Sequence, residues 1–246
     1  MRAEALANMS GSRINLIAAY SRLGSINAGT DRFRDRGLTV LLVLELCLVF
    51  LAAPLGSDGP PIVRPINETM VLAVVAIVVL LSRRREAIAV SVLGLAAILA
   101  SVLPGLGWPP AAASVLRRGG DILIFSALTW VVAHAVYAPG RITSHRLQGA
   151  AVMYLSLAMI FASAFGLIWE LNPAGFAGPL ALTRGPGENA TMMYFSLTTL
   201  TTTGYGDITP VDPFARSLAN LESVLGQFFL AITVARLVTL ELQDRR

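Results

Sequence analysis

Asn189 to Pro210 reads NATMMYFSLTTLTTTGYGDITP, a helix-compatible run of about twelve residues that ends in Thr201-Thr202-Thr203-Gly204-Tyr205-Gly206-Asp207. On its own, Gly-Tyr-Gly-Asp reads as a turn, because Gly and Asp are common turn residues. Its setting argues for more. A Thr-rich amphipathic stretch leads into it, and long apolar runs flank it at Leu147 to Trp169 and Pro213 to Leu240.

Working outward, four further apolar runs precede this region, at Leu38 to Leu55, Thr69 to Leu81, Ala87 to Leu103 and Asp121 to Ala138. Most are close to the ~20 residues an α-helix needs to cross a ~30 Å hydrocarbon core. The run from Thr69 is the shortest. None alternates apolar and polar residues as a barrel strand would, and only helices or closed barrels satisfy their backbone in lipid. The expected fold class is therefore an all-α integral membrane protein, with six transmembrane helices and one shorter element between the fifth and the sixth. Composition agrees: the 246 residues are 55% hydrophobic and 14% charged, which excludes an ordinary soluble domain. A single cysteine, Cys47, excludes a disulfide framework, and two histidines are too few for a typical zinc site. No cofactor is expected.

All 19 basic residues are arginine. With the N-terminus inside, Arg2, Arg13, Arg22, Arg32, Arg34, Arg36, Arg83 to Arg85, Arg141, Arg146, Arg236, Arg245 and Arg246 fall on one side, leaving five, at Arg64, Arg117, Arg118, Arg184 and Arg216, on the other. Short cytoplasmic loops collect positive residues, so both termini are expected in the cytoplasm. The net charge of +4 is thus an orientation signal and gives no reason to invoke nucleic acid. The expected organisation is a cytoplasmic tail over 1–37, a four-helix bundle over 38–140 and a unit over 141–246 that carries the chemistry. The sequence stops six residues after the last apolar run, so no ligand-binding domain is expected beyond it.

Asn189 to Pro210 resembles the signature of tetrameric potassium channels, and the resemblance covers residues 147–240 as outer helix, pore helix, filter and inner helix. It implies a plasma (cell inner) membrane protein, a homotetramer bathed in lipid, because each chain holds one filter segment and closed symmetry supplies the rest. It also implies K+ as the permeating ion. A cation leaving water must have its hydration shell replaced, which rings of backbone carbonyls from four such loops can do. Thr202, Thr203, Gly204 and Tyr205 would supply those carbonyls. Gly204 and Gly206 take positive φ cheaply, which lets successive carbonyls face one axis. Asp207 would sit at the outer mouth, and the pore helix would aim its negative C-terminal end at the central cavity.

Departures from the family pattern locate the supporting residues. Many members have Val where Thr203 stands, Trp at Tyr194 and Phe195, and some have Glu at Thr198. Phe195 cannot donate the hydrogen bond that Trp would offer to Tyr205, whereas the Tyr194 hydroxyl could reach Asp207. In the last apolar run, Glu222 is an acid in a membrane helix, which marks either a support that contacts Thr198 or Thr201 or a solvated cavity position. Gly226 costs roughly 0.5–1 kcal/mol inside a helix and so serves either as a gating hinge or for close packing. Leu230, Val234 and Val238 follow at i+4 intervals as candidates for an apolar inner gate.

The first four runs resemble the layout that precedes voltage-gated pores, yet Asp121 to Ala138 holds no arginine. Little voltage dependence is expected, since each charge moved yields only ~2.3 kcal/mol per 100 mV. Glu45 and His134 lie at similar depths, so they could pair across the bundle as a structural contact or a pH sensor. Three other readings compete. Gly204 to Asp207 also fits the G-x-G-D pattern of membrane aspartyl proteases, which need a second acid; the nearest candidates are Asp212 and Asp121. A potassium-uptake transporter would need four filter loops in one chain. A less selective cation pore is disfavoured by Tyr205.

Overall fold

The computed structural model describes residues 37–52, 63–82, 84–103, 107–137, 144–178 and 188–244. The tail over 1–36 lies outside the described residues. Seven α-helices carry the described fold. Helix α1, Gly37–Leu51, closes in a π-helical turn at Leu48–Ala52. Then come α2 (Val63–Leu81), α3 (Arg85–Val102), α4 (Pro110–Val136), α5 (Ser144–Leu171), α6 (Glu188–Leu200) and α7 (Pro213–Asp244). Among the described residues four spans are long and apolar enough to cross a membrane: Arg85–Val102, Pro110–Val136, Arg146–Leu171 and Pro213–Arg236. Gly37–Leu51 and Thr69–Leu80 are shorter apolar helices.

Helical periodicity decides which side of each helix is covered. Helix α1 buries Leu38, Leu41, Glu45 and Leu48, while Val40, Val43 and Phe50 point outward. Helix α2 buries Val71, Val74, Val75 and Val78 and exposes Leu72, Val79 and Leu80. Apolar residues on both the covered and the open face are what a lipid-facing helix requires. Helix α5 is the spine of the molecule: 56% of its most apolar stretch is buried, against 17% for α7.

The fourth span starts earlier than the sequence suggests. The stretch before Asp121 is rich in Pro and Gly and reads as a loop, but the helix begins at Pro110, a residue pre-set for a first helical turn, and runs through Gly119-Gly120. Gly120 is there because α3 and α4 cross almost backbone to backbone. A Cβ on Gly94 would lie 2.8 Å from Gly120 O, and one on Gly120 would lie 2.6 Å from Gly94 O. Small residues at a membrane helix contact permit this approach. Two expectations change with the boundary. Arg117 and Arg118 belong to α4 and not to an outer loop, and Asp121 lies within the helix instead of at its end.

Arg118 is buried at 4% exposure. Its guanidinium covers Gly166 of α5, where any Cβ would collide with it, and the carboxylates of Glu170 and Asp121 act on its charge. A buried arginine in a membrane helix requires such company.

The connection from α5 to α6 is stitched to the segment before α7. A short 3-10 turn, Pro173–Gly175, leads into β1 (Phe176–Ala177), which pairs antiparallel with β2 (Thr209–Pro210) in the register Phe176 to Pro210 and Ala177 to Thr209. The amides of Val211 and Asp212 both donate to Gly175 O, at 2.7 and 3.0 Å. These bonds fix both ends of the loop that carries residues 201–207.

Candidate functional site

Helix α6 ends in a device that sets the geometry of everything after it. The Thr203 amide donates to Thr198 O at 2.8 Å, the Thr202 amide to Thr199 O at 2.9 Å, and Thr202 takes φ +57°. This is a Schellman cap, whose left-handed position is usually Gly or Asn. Here it is a β-branched residue, an outlier that costs on the order of 1–2 kcal/mol. Such strain persists only where the surroundings over-determine it, and it concentrates at functional sites.

The left-handed conformation then recurs at every second residue. Gly204 has φ +53° and Gly206 φ +79°, while Thr203 and Tyr205 between them are not in the positive region. A Cβ on either glycine would meet nothing within 4 Å, so φ and not space is what demands glycine there. An alternating handedness turns successive carbonyls toward one side instead of zigzagging them as a strand does.

Side chains brace this strip from behind and from its Asp207 end. Thr201 Oγ1 donates to Leu197 O at 2.7 Å and lies 2.9 Å from Thr203 Oγ1. The rings of Tyr194 and Tyr205 stack at 6.2 Å with planes only 3° apart. The Tyr194 hydroxyl donates to Asp207 Oδ2 at 2.6 Å, and Asp207 Oδ1 accepts the Ile208 amide at 3.1 Å. Phe195 goes elsewhere: it is buried between Phe165 at 4.8 Å and Phe176 at 5.6 Å, both edge to face. It anchors α6 to α5 and β1 and leaves Tyr205 to Tyr194.

The Thr202 end is held by α7 and α5. Tyr154 OH donates to Leu200 O at 3.3 Å, a last-turn carbonyl of α6 with no partner within the helix, and Ser223 Oγ adds a second donor at 3.1 Å to Thr199 O, which already takes the Thr202 amide. Gly226 seats against Leu200 O, where a Cβ would clash and would also lie 3.0 Å from Leu200 Cδ1. Of the two reasons for a glycine there, close packing is the one with a contact behind it. Gln227 extends its amide to Thr202 Oγ1 at 3.1 Å.

Glu222 is fully buried, and its partner differs from those the sequence suggests. Its Oε1 accepts from Ser196 Oγ at 2.5 Å, whereas Thr198 Oγ1 turns back to Phe195 O and Thr201 Oγ1 to Leu197 O. These alternatives differ by rotation about the helix axis, and a sequence encodes depth far better than rotation. Ser196 Oγ also lies 2.8 Å from Ala158 O, so α5, α6 and α7 meet at one hydroxyl. Ser196, Ser223, Tyr154 and Gln227 escape sequence reading; a small hydroxyl in an apolar helix carries no local signal of its partner.

The Glu45–His134 pair is corrected as well. Glu45 Oε1 accepts from Ser156 Oγ at 2.5 Å, while His134 is exposed, with Nδ1 2.9 Å from Trp130 O and its ring against that of Trp130 at 4.8 Å. The two residues share a depth but face different ways.

Residues 149–242 match the family described as Ion channel. The match runs from near the start of α5 to near the end of α7 and takes in the whole strip with its supports. An ion-channel domain points to a non-enzymatic channel protein. The Asp207 carboxylate is correspondingly committed to Tyr194 and Ile208. No curated protein and no solved structure matches the chain. Within the ion-channel segment, Leu230 and Val234 leave 45% and 57% of their surface exposed on α7, and the side chain of Val238 lies outside the described residues. Lower on α7, Arg236 donates to Tyr137 O at 2.8 Å and stacks on the Tyr137 ring at 4.7 Å, tying the far end of α7 to the end of α4.

Proposed function

We propose that this protein is a potassium-selective channel, conducting K+ passively through a filter built from four copies of residues 202–206. The observation that carries the reading is the alternation of positive φ at Thr202, Gly204 and Gly206 behind a short helix lying between two membrane helices. Backbone carbonyls aligned in this way replace a cation's water without a charged side chain, and a ring of four such strips gives each ion a full shell. Thr202, Thr203, Gly204 and Tyr205 hold K+; Tyr194, Asp207 and Glu222 brace the strip. Six spans per chain, both termini cytoplasmic and a homotetramer in the plasma membrane complete the proposal. Leu230 and Val234 form the apolar constriction.

Voltage dependence is weak in this reading. The arginines of α4 form one adjacent pair near its start, with no third-residue repeat, so little charge can cross the field.

Reconstitution in liposomes under opposed K+ and Na+ gradients tests the proposal. The expected reversal potential follows the K+ gradient. One that ignores K+ overturns the reading.

A further inference from the structure

The inner end of the strip has a contact that conduction through carbonyls alone does not call for. Gln227 follows the glycine that seats on the pore helix and is succeeded by Phe228 and Phe229 on an otherwise apolar stretch. Its side chain is exposed, and its Nε2 reaches Thr202 Oγ1 at 3.1 Å. Thr202 is the first residue of the alternating strip, and its hydroxyl is the one side-chain oxygen in the proposed ion-holding set that a residue of α7 touches among the described contacts.

We infer that Gln227 is a positioning residue for the innermost cation site, acting through the Thr202 hydroxyl. The inference rests on the channel reading above. A threonine hydroxyl has one hydrogen and two lone pairs, and its rotor turns freely unless a partner holds it. An amide N–H donated into one lone pair orients the hydroxyl, turns its own hydrogen away and leaves the second lone pair for a cation. Without the amide, a cation arriving from the cavity must order that hydroxyl itself, and its affinity falls by the worth of the lost bond. Among the amides and their acids Gln alone combines the reach with the donor: Asn is a methylene shorter, and ionised Glu has the length but no N–H to donate.

The test uses the full chain in planar bilayers, with Ba2+ added from the cytoplasmic side as a divalent cation of nearly the radius of K+. Gln227→Met keeps the length and removes the donor. Its half-blocking Ba2+ concentration is expected to rise about three- to tenfold, the effect of one hydrogen bond, while the protein elutes at the wild-type size. In a Thr202→Val background the same substitution is expected to add no further shift, since the hydroxyl it acts through is gone. If Thr202→Val does not conduct, the rise in Tm that Ba2+ gives the detergent-solubilised protein supplies the same comparison.

Unchanged Ba2+ sensitivity in Gln227→Met overturns the inference, as does an equal shift in both backgrounds, which would show Gln227 acting without Thr202. A wild type that carries no K+ current overturns the channel reading and this inference together. A K+-selective wild type with an unaltered Gln227→Met overturns this inference alone.

Discussion

Among the described residues two carboxyl groups are fully buried, one in the N-terminal bundle and one behind residues 201–207, and each is served by the same chemistry. Glu45 of α1 and Glu222 of α7 both accept from a serine at 2.5 Å, and in both the second oxygen is buried without a hydrogen-bond partner. The difference lies in what each serine joins. Ser156 links α1 to α5, whereas Ser196 sits on α6 within reach of Glu222 on α7 and Ala158 O on α5. Ser156 and Ala158 are two residues apart on α5, so one helix carries a polar joint to the bundle and another to the pore almost at one level. The first joint ties α5 to the bundle; the second ties it to the helix that leads into residues 201–207.

The contrast between the joints is most exposed at the glycine below the second one. Gly226→Leu drives a side chain into Leu200 O and is expected to cost about 3 kcal/mol, the upper range for overpacking, read as loss of the proposed tetramer on size exclusion. An elution volume unchanged from wild type would show that α7 and α6 can part without consequence. Next come the serines. Ser196→Ala and Ser156→Ala each strip a buried carboxyl of its partner, and each is expected to lower stability by about 1–3 kcal/mol. Only Ser196→Ala should shorten the conducting lifetime in single-channel records. If both substitutions alter conduction alike, the two joints are not separate devices.

Weaker effects belong to the filter side. Tyr194→Phe removes the bond to Asp207 and is expected to cost about 1 kcal/mol, seen as faster loss of current when external K+ is lowered. Asp212 gives the weakest of all. The Ala215 amide, with those of Phe214 and the Asn172 side chain, holds its carboxyl below the usual range against some desolvation. A depressed carboxyl stabilises above its unfolded value of about 3.9, and that contribution fades as pH falls through the lower folded value. Thermal stability should therefore be level from pH 7 to about pH 4 as far as this group is concerned, and Asp212→Asn should flatten the decline below it.

How much of this was legible follows from what a sequence encodes. Lipid demands long apolar helices, so α3, α5 and α7 announce themselves by length, and the glycine spacing of 204 and 206 foretells positive φ. The start of α4 did not, because Gly119-Gly120 looks like a loop until the crossing with Gly94 supplies its reason. Depth along a helix was readable for Glu45, His134 and Glu222; rotation about the axis was not, so Ser156 and Ser196 replaced the partners that depth alone suggested. The cap at Thr202 was hidden for a different cause: its position favours glycine, and the residue present argues against the conformation it adopts.

That cap has a consequence for how the protein can change. Thr202→Gly would relieve the left-handed threonine and raise folding stability by on the order of 1 kcal/mol, yet it would delete the hydroxyl that Gln227 touches. A screen for heat-resistant variants that did not also demand K+ selectivity would enrich this substitution. At residue 202, selection for durability and selection for ions pull in opposite directions.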